Sequence, residues 1–224
     1  SDIWLIKTDS GGNEQFNKTF GGDFTDLGGS VIETSDGGFA ITGQTDSFGA
    51  SGLDALLLKT DSGGNVDFNE TFGGPEPDSG NDLIETSDGG FAISGFLSSD
   101  GNSDAWLIGT DSEGDESINQ TFGGEDFDDA LSVTEPADGF ALAGSTSSFG
   151  AGGFDAWLLK ISPQREDRGD KTDDCVDRRE LSRGQEDQGC PTDRTFSRGE
   201  SRRDFDRGNG ERGGESRRDR GRSR

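Results

Sequence analysis

Asp100-Gly101-Asn102-Ser103-Asp104 sets three oxygen-bearing side chains, Asp100, Asn102 and Asp104, at alternate positions, as the opening of a calcium loop does. The later glycine and distal glutamate of such a loop are missing, and the corresponding stretches 46–54 and 147–155 do not repeat the pattern. The segment therefore reads as a turn before it reads as a metal site. Asn17-Lys18-Thr19, Asn69-Glu70-Thr71 and Asn119-Gln120-Thr121 are N-glycosylation sequons, which makes Asn17, Asn69 and Asn119 candidate acceptors. Paired carboxylates could hydrolyse glycosides. With 30 Asp and Glu in residues 1–163, no particular pair stands out.

Other chemistry is excluded by composition. The chain has no histidine and residues 1–163 have no cysteine, which removes Ser-His-Asp and Cys-His catalysis and any His-ligated metal. Thr34-Ser35-Asp36-Gly37-Gly38-Phe39 resembles the turn box of sialidases. Those enzymes need an arginine cluster for the substrate carboxylate, and residues 1–163 contain no arginine. Asp9, Asp61 and Asp111, each in a Thr-Asp-Ser turn, are expected to bond their own backbone. No cofactor is implied.

The elements that would position these residues are repeated. Asp2, Asp54, Asp104 and Asp155 open nearly the same phrase, at spacings of 52, 50 and 51 residues. Phrases ending in Thr-Phe-Gly-Gly at Gly22, Gly74 and Gly124 keep step, as do those running through Gly43, Gly95 and Gly144. A period near fifty marks a propeller, solenoid or array of one supersecondary unit. Each period holds four short apolar or alternating runs separated by Asp-Gly and Ser-Gly turn chemistry, with no helical periodicity. In the best-preserved copy the strands are expected over 82–86, 91–98, 105–110 and 117–122, with a loop at 99–104. The third strand is apolar on both faces, so it should be covered on both sides; the fourth alternates, with Phe16, Lys18 and Phe20 on one face. The fold class is thus all-β: β-propeller-like blades of four antiparallel strands, about thirteen strands in a half unit (2–22), two full units (27–72 and 78–122) and three further strands (128–162). That makes about three blades, a partial or open array.

Charge divides the chain near Pro163. Residues 1–163 carry four lysines against 30 acids, whereas residues 164–224 carry 16 arginines, Lys171 and 16 acids. The acidic body disfavours nucleic acid and anionic membranes as partners, and it fits a protein working in concentrated salt. No apolar run is long enough to span a bilayer, and the absence of methionine implies a removed leader or a fragment. The segment 164–224 is too poor in large apolar residues for a core and reads as disordered, or as an out-of-frame translation. Its two cysteines, Cys175 and Cys190, make no zinc pattern without histidine, and Arg168-Gly169-Asp170 is too short a match to carry a function.

The phrases Asn17-KTFGG, Thr34-SDGGFAITG and Ser148-FGAGG, with the DAWLIKTDSGGN pattern shared by Asp2-IWLIKTDSGGN and Asp104-AWLIGTDSEGD, resemble the fifty-residue repeat of secreted archaeal β-propeller proteins, haloarchaeal ones included. The resemblance covers residues 1–162 and implies a fold and an extracellular or cell-surface location more than an activity. Phe16, Phe68 and Ile118 stand where that family often has tryptophan in the fourth strand. The expectation is a non-enzymatic, salt-adapted surface scaffold that binds a protein or glycan through the variable loops 45–53, 75–81, 97–103 and 146–154, and self-associates to complete a ring. The alternative is a carbohydrate-binding or glycoside-hydrolysing propeller. A carboxylate pair beside an exposed aromatic in one blade alone would favour that alternative; acids spread evenly over the repeats would favour the scaffold.

Overall fold

The Thr-Ser-Asp-Gly-Gly phrases close tight turns. Gly37 N–H donates to Thr34 O at 2.8 Å and Gly89 N–H to Thr86 O at 2.9 Å, and both glycines adopt positive φ, 83° and 90°. Such turns join consecutive strands, so the computed structural model, which describes residues 1–162, is built of antiparallel neighbours. The expected disordered tail, with Cys175, Cys190 and Arg168-Gly169-Asp170, lies outside the described residues.

Thirteen strands and no helix make up the described residues. The first sheet holds β1 (Ile3–Thr8) and β2 (Glu14–Phe20). The second holds β3 (Asp26–Glu33), β4 (Phe39–Thr45), β5 (Asp54–Thr60) and β6 (Val66–Phe72). The third holds β7 (Ser79–Glu85), β8 (Phe91–Ser99), β9 (Asn102–Thr110) and β10 (Glu116–Phe122). The fourth holds β11 (Asp128–Thr134), β12 (Phe140–Thr146) and β13 (Asp155–Ile161). Each is an open meander, and the partition into two, four, four and three strands is the one the repeats imply.

Two local expectations are corrected. The first strand of the third sheet begins at Ser79 rather than Asp82, because Ser79 and Gly80 pair with Phe96 and Gly95 before a bulge at Asn81. Glycine next to serine reads as a turn in sequence, but here it lets strands approach: a Cβ at Gly95 would collide with Ser79 O. Bulges at the same place in β3 and β11 lie opposite Gly43 and Gly144. Likewise the expected loop 99–104 is a hairpin, with Ser99 paired to Asn102 around Asp100-Gly101. Positive φ at both residues, 54° and 79°, gives the turn the hand of a twisted ribbon.

The sheets stack face to face through alternate residues of their third strands. Leu57 of β5 packs with Leu83, Ile93, Trp106 and Ile108 of the third sheet. Leu107 of β9 turns the other way, onto Ala130, Val133 and Leu142 of the fourth. Leu56 and Leu58 meet Ile3 and Leu5 of the first. All seven residues of β5 are therefore buried, while β13 alternates between half-buried and exposed positions. The outer strands β2, β6 and β10 bury one face only, with Phe16, Lys18 and Phe20 on the covered side of β2.

Candidate functional site

The aspartates that open the third strand of each unit do not stand alone. A second aspartate follows three of the four by 24 residues, giving Asp2 with Asp26, Asp54 with Asp78 and Asp104 with Asp128. Each pair closes on one glycine of a Phe-Gly-Gly phrase. A Cβ at Gly73 would crowd Asp78 Oδ2 and Asp54 Oδ1, and one at Gly21 or Gly123 would crowd the matching pair. The partner aspartates Asp26, Asp78 and Asp128 are buried and accept a backbone N–H four residues earlier, from Gly22 (3.0 Å), Gly74 (2.8 Å) and Gly124 (2.9 Å). Sequence reasoning missed these three; the constant 24-residue separation, while the period itself varies, was the available signal.

The junctions differ in how the charge is met. Burial works against ionisation of Asp26, but donation from the Thr45 and Ser47 hydroxyls and Gly22 N–H outweighs it, and the carboxyl is lowered. Asp128 is treated alike by Thr146, Ser148 and Gly124, with the same outcome. In the middle junction Leu97 occupies the place of Thr45 and Thr146, and the Ser98 hydroxyl donates to Pro77 O. Burial accordingly raises Asp78, in spite of N–H donation from Ser98 and Gly74. It also raises Asp54, with repulsion from Asp78 and Asp46 added. Asp54 Oδ2 accepts the Ala50 N–H at 2.7 Å; Asp54 Oδ1 is buried without a partner.

At the other end of the third strands stand lysines. Lys59 is buried and donates to Asp36 Oδ2 (2.8 Å), Thr60 O (2.9 Å) and Asp67 Oδ2 (3.3 Å). That bond, with Thr34 Oγ1 and the Gly38 N–H, holds the Asp36 carboxyl far below its ordinary range. The residues that resemble a sialidase box thus serve the hairpin and its lysine. Glu85 receives Ser35 N–H and hydroxyl at 2.7 and 2.6 Å, and Glu135 receives Ser87 at 2.7 and 3.0 Å, each linking one sheet to the preceding one. Asp82 of β7 accepts both the Ser30 and the Ser132 hydroxyls at 3.1 Å, tying three first strands together.

Of the calcium-loop residues, Asp100 lies in the hairpin turn, and Asn102 Nδ2 donates to Asp104 Oδ1 at 3.3 Å and to Gly124 O at 3.0 Å. Among the described residues no group of three or more His, Cys, Asp or Glu side chains is arranged around a metal position. Asp9, Asp61 and Asp111 each accept two backbone N–H groups of their own turns at 2.8–3.0 Å. Asn17, Asn69 and Asn119 are exposed on β2, β6 and β10. Asn119 also accepts Trp106 Nε1–H at 2.8 Å and donates to Glu116.

The variable loops gather at the aspartate end, though strand pairing takes 79–81 from one and leaves little more than Asp100-Gly101 of another. A row of aromatic rings lies beside them, from β8, the 123–127 connection and the loop before β13: Phe96 and Phe127 lie 6.1 Å apart, Phe127 and Phe154 5.9 Å. Phe127 is partly exposed and Phe154 is 69% exposed, on a surface that also carries Asp126. Among the described residues no helix is long and apolar enough to cross a membrane. No protein-family model matches the chain, and no curated protein matches its sequence.

Proposed function

We propose that the chain is a non-enzymatic, extracellular or cell-surface, salt-adapted scaffold of the β-propeller type, whose loop end presents a surface to a protein or glycan. One observation carries this reading. The close carboxylate pair, the arrangement a glycoside hydrolase would need, recurs at three successive sheet junctions, and Asp54 and Asp78 are 1% and 0% exposed. Repetition and burial both favour structure over catalysis. The meander order supports blades, as do the adjoining first strands, bridged by Asp82 and by Asn81 Nδ2 on Ala130 O at 3.0 Å. An excess of 26 negative charges over residues 1–163 supports life in concentrated salt.

The exposed Phe127 and Phe154 rings, on a surface that also carries Asp126, favour a glycan as the partner, since exposed rings beside acids receive the apolar face of a sugar. Trp4 and Leu158, 66% and 74% exposed, occupy positions that neighbouring sheets cover elsewhere, and a second copy would cover them in the same manner. The test pairs a glycan-binding panel with aryl-glycoside turnover. The scaffold reading expects no turnover and binding that Phe154→Ala weakens. Turnover abolished by Asp54→Asn or Asp78→Asn would contradict it, as would failure of a membrane-impermeant amine reagent to label the protein on intact producing cells.

A further inference from the structure

We propose that the Asp54–Asp78 junction is a binding site for a hard divalent cation of the calcium class, held between Asp54 Oδ1 and Asp78 Oδ2, which clamps the second sheet to the third. Asp54 is 1% exposed and its Oδ1 has no hydrogen-bond partner, an arrangement that costs free energy unless something positive or protic stands opposite. The two oxygens both lie within 2.7 Å of the point that a Cβ at Gly73 would occupy. One cation with oxygen bonds of about 2.3–2.6 Å reaches both. Gly73 itself is exposed, so an ion in exchange with solvent has a path in.

The flanking junction shows what is missing. Asn102, two residues before Asp104, donates to Asp104 Oδ1 at 3.3 Å. Two residues before Asp54 stands Gly52, which has no side chain to offer. The hydroxyls that serve Asp26 and Asp128 are likewise lacking at Asp78. Asp46 and Glu76 add negative charge around the pair. The lysines are engaged elsewhere: Lys7 over Phe39, Lys18 with Asn65, Lys59 with Asp36 and Lys160 with Asp138. The donor set is all oxygen and anionic, the chemistry of calcium rather than of a softer metal. Water supplies the remaining oxygens of the shell.

The test uses the full chain, stripped with a chelator and held at pH 7 in about 1 M KCl, where non-specific attraction to the acidic surface is screened. Calcium chloride is titrated by calorimetry, and thermal unfolding is followed by circular dichroism. One saturable site is expected, with the unfolding midpoint rising by about 5–10 °C when calcium reaches roughly a hundred times its Kd. Asp54→Asn should abolish the rise yet fold well without calcium, because its amide can donate to Asp78. Asp2→Asn, at another junction, should keep the rise. Absence of a saturable heat in the wild-type chain overturns the proposal, whatever the variants do. So does a rise that Asp54→Asn retains. A wild-type chain indifferent to calcium but stabilised between pH 7 and pH 5 also overturns it, showing that the pair shares a proton instead.

Discussion

Trp4 and Trp106 occupy the same position of the repeat, yet only Trp106 has a sheet in front of it. Trp106 is 1% exposed, packed in the cluster between the second and third sheets, with its indole N–H on Asn119. Trp4 is 66% exposed. Truncating a buried tryptophan to alanine costs about 3–5 kcal/mol, as lost transfer energy plus the cavity left behind. Asn119 is exposed and recovers its lost bond from water, so that term adds little. Trp106→Ala should therefore cost about 4 kcal/mol, while Trp4→Ala, with a third of its surface covered, should cost about 1 kcal/mol. For a chain of this size these figures convert to midpoint losses of about 8–16 °C and 2–4 °C. Urea and thermal unfolding, read by far-ultraviolet circular dichroism on protein shown by sedimentation to be monomeric, measure both. Equal losses in the monomer would refute the stacking order, because they would mean that both indoles have a covering sheet.

Further consequences follow from the same packing. Gly95→Ala, whose Cβ would strike Ser79 O, should destabilise the chain by about 1–3 kcal/mol in urea unfolding, whereas Gly37→Ala meets no atom within 4 Å and should cost only its φ strain. Thr45→Val removes a donor from the lowered carboxyl of Asp26. Because that stabilisation is present above the ordinary carboxylate range and lost as pH falls below it, the cost should be about 1.5–3 kcal/mol at pH 7 and should shrink below about pH 4. Raising KCl from about 0.1 to 1 M shortens the screening length from about 10 to 3 Å and should raise the unfolding midpoint. An unchanged midpoint would remove the support for salt adaptation.

The strands were legible where apolar runs were bounded by Asp-Gly or Gly-Gly, since those turns are local chemistry; hence the sheet partition could be counted from the repeats. The first strands were only half legible, because Gly80 and Asn81 look like turn residues until the opposing Gly95 is known to admit a bulge. Asp100-Gly101-Asn102 supplied the spacing of a calcium loop, but its meaning depended on a loop two residues shorter than those before Asp54 and Asp155. Asp78 carried no local signal at all. It matters because folding brings it onto Gly73 beside Asp54, a relation between two different phrases that no single motif contains. The aromatic row was hidden for the same reason, with Phe96, Phe127 and Phe154 contributed by three separate segments.

Consecutive sheets cover one another face to face, so that inner third strands are sealed and outer ones are not. Native-state hydrogen exchange resolved by strand measures this difference. β5 and β9, whose apolar residues are buried on both faces, should exchange slowest and close to the global unfolding rate. β13, alternately half-buried and exposed, should exchange markedly faster. Protection of β13 equal to that of β5 in the monomer would contradict the stack, and with it the account of what the repeated residues do.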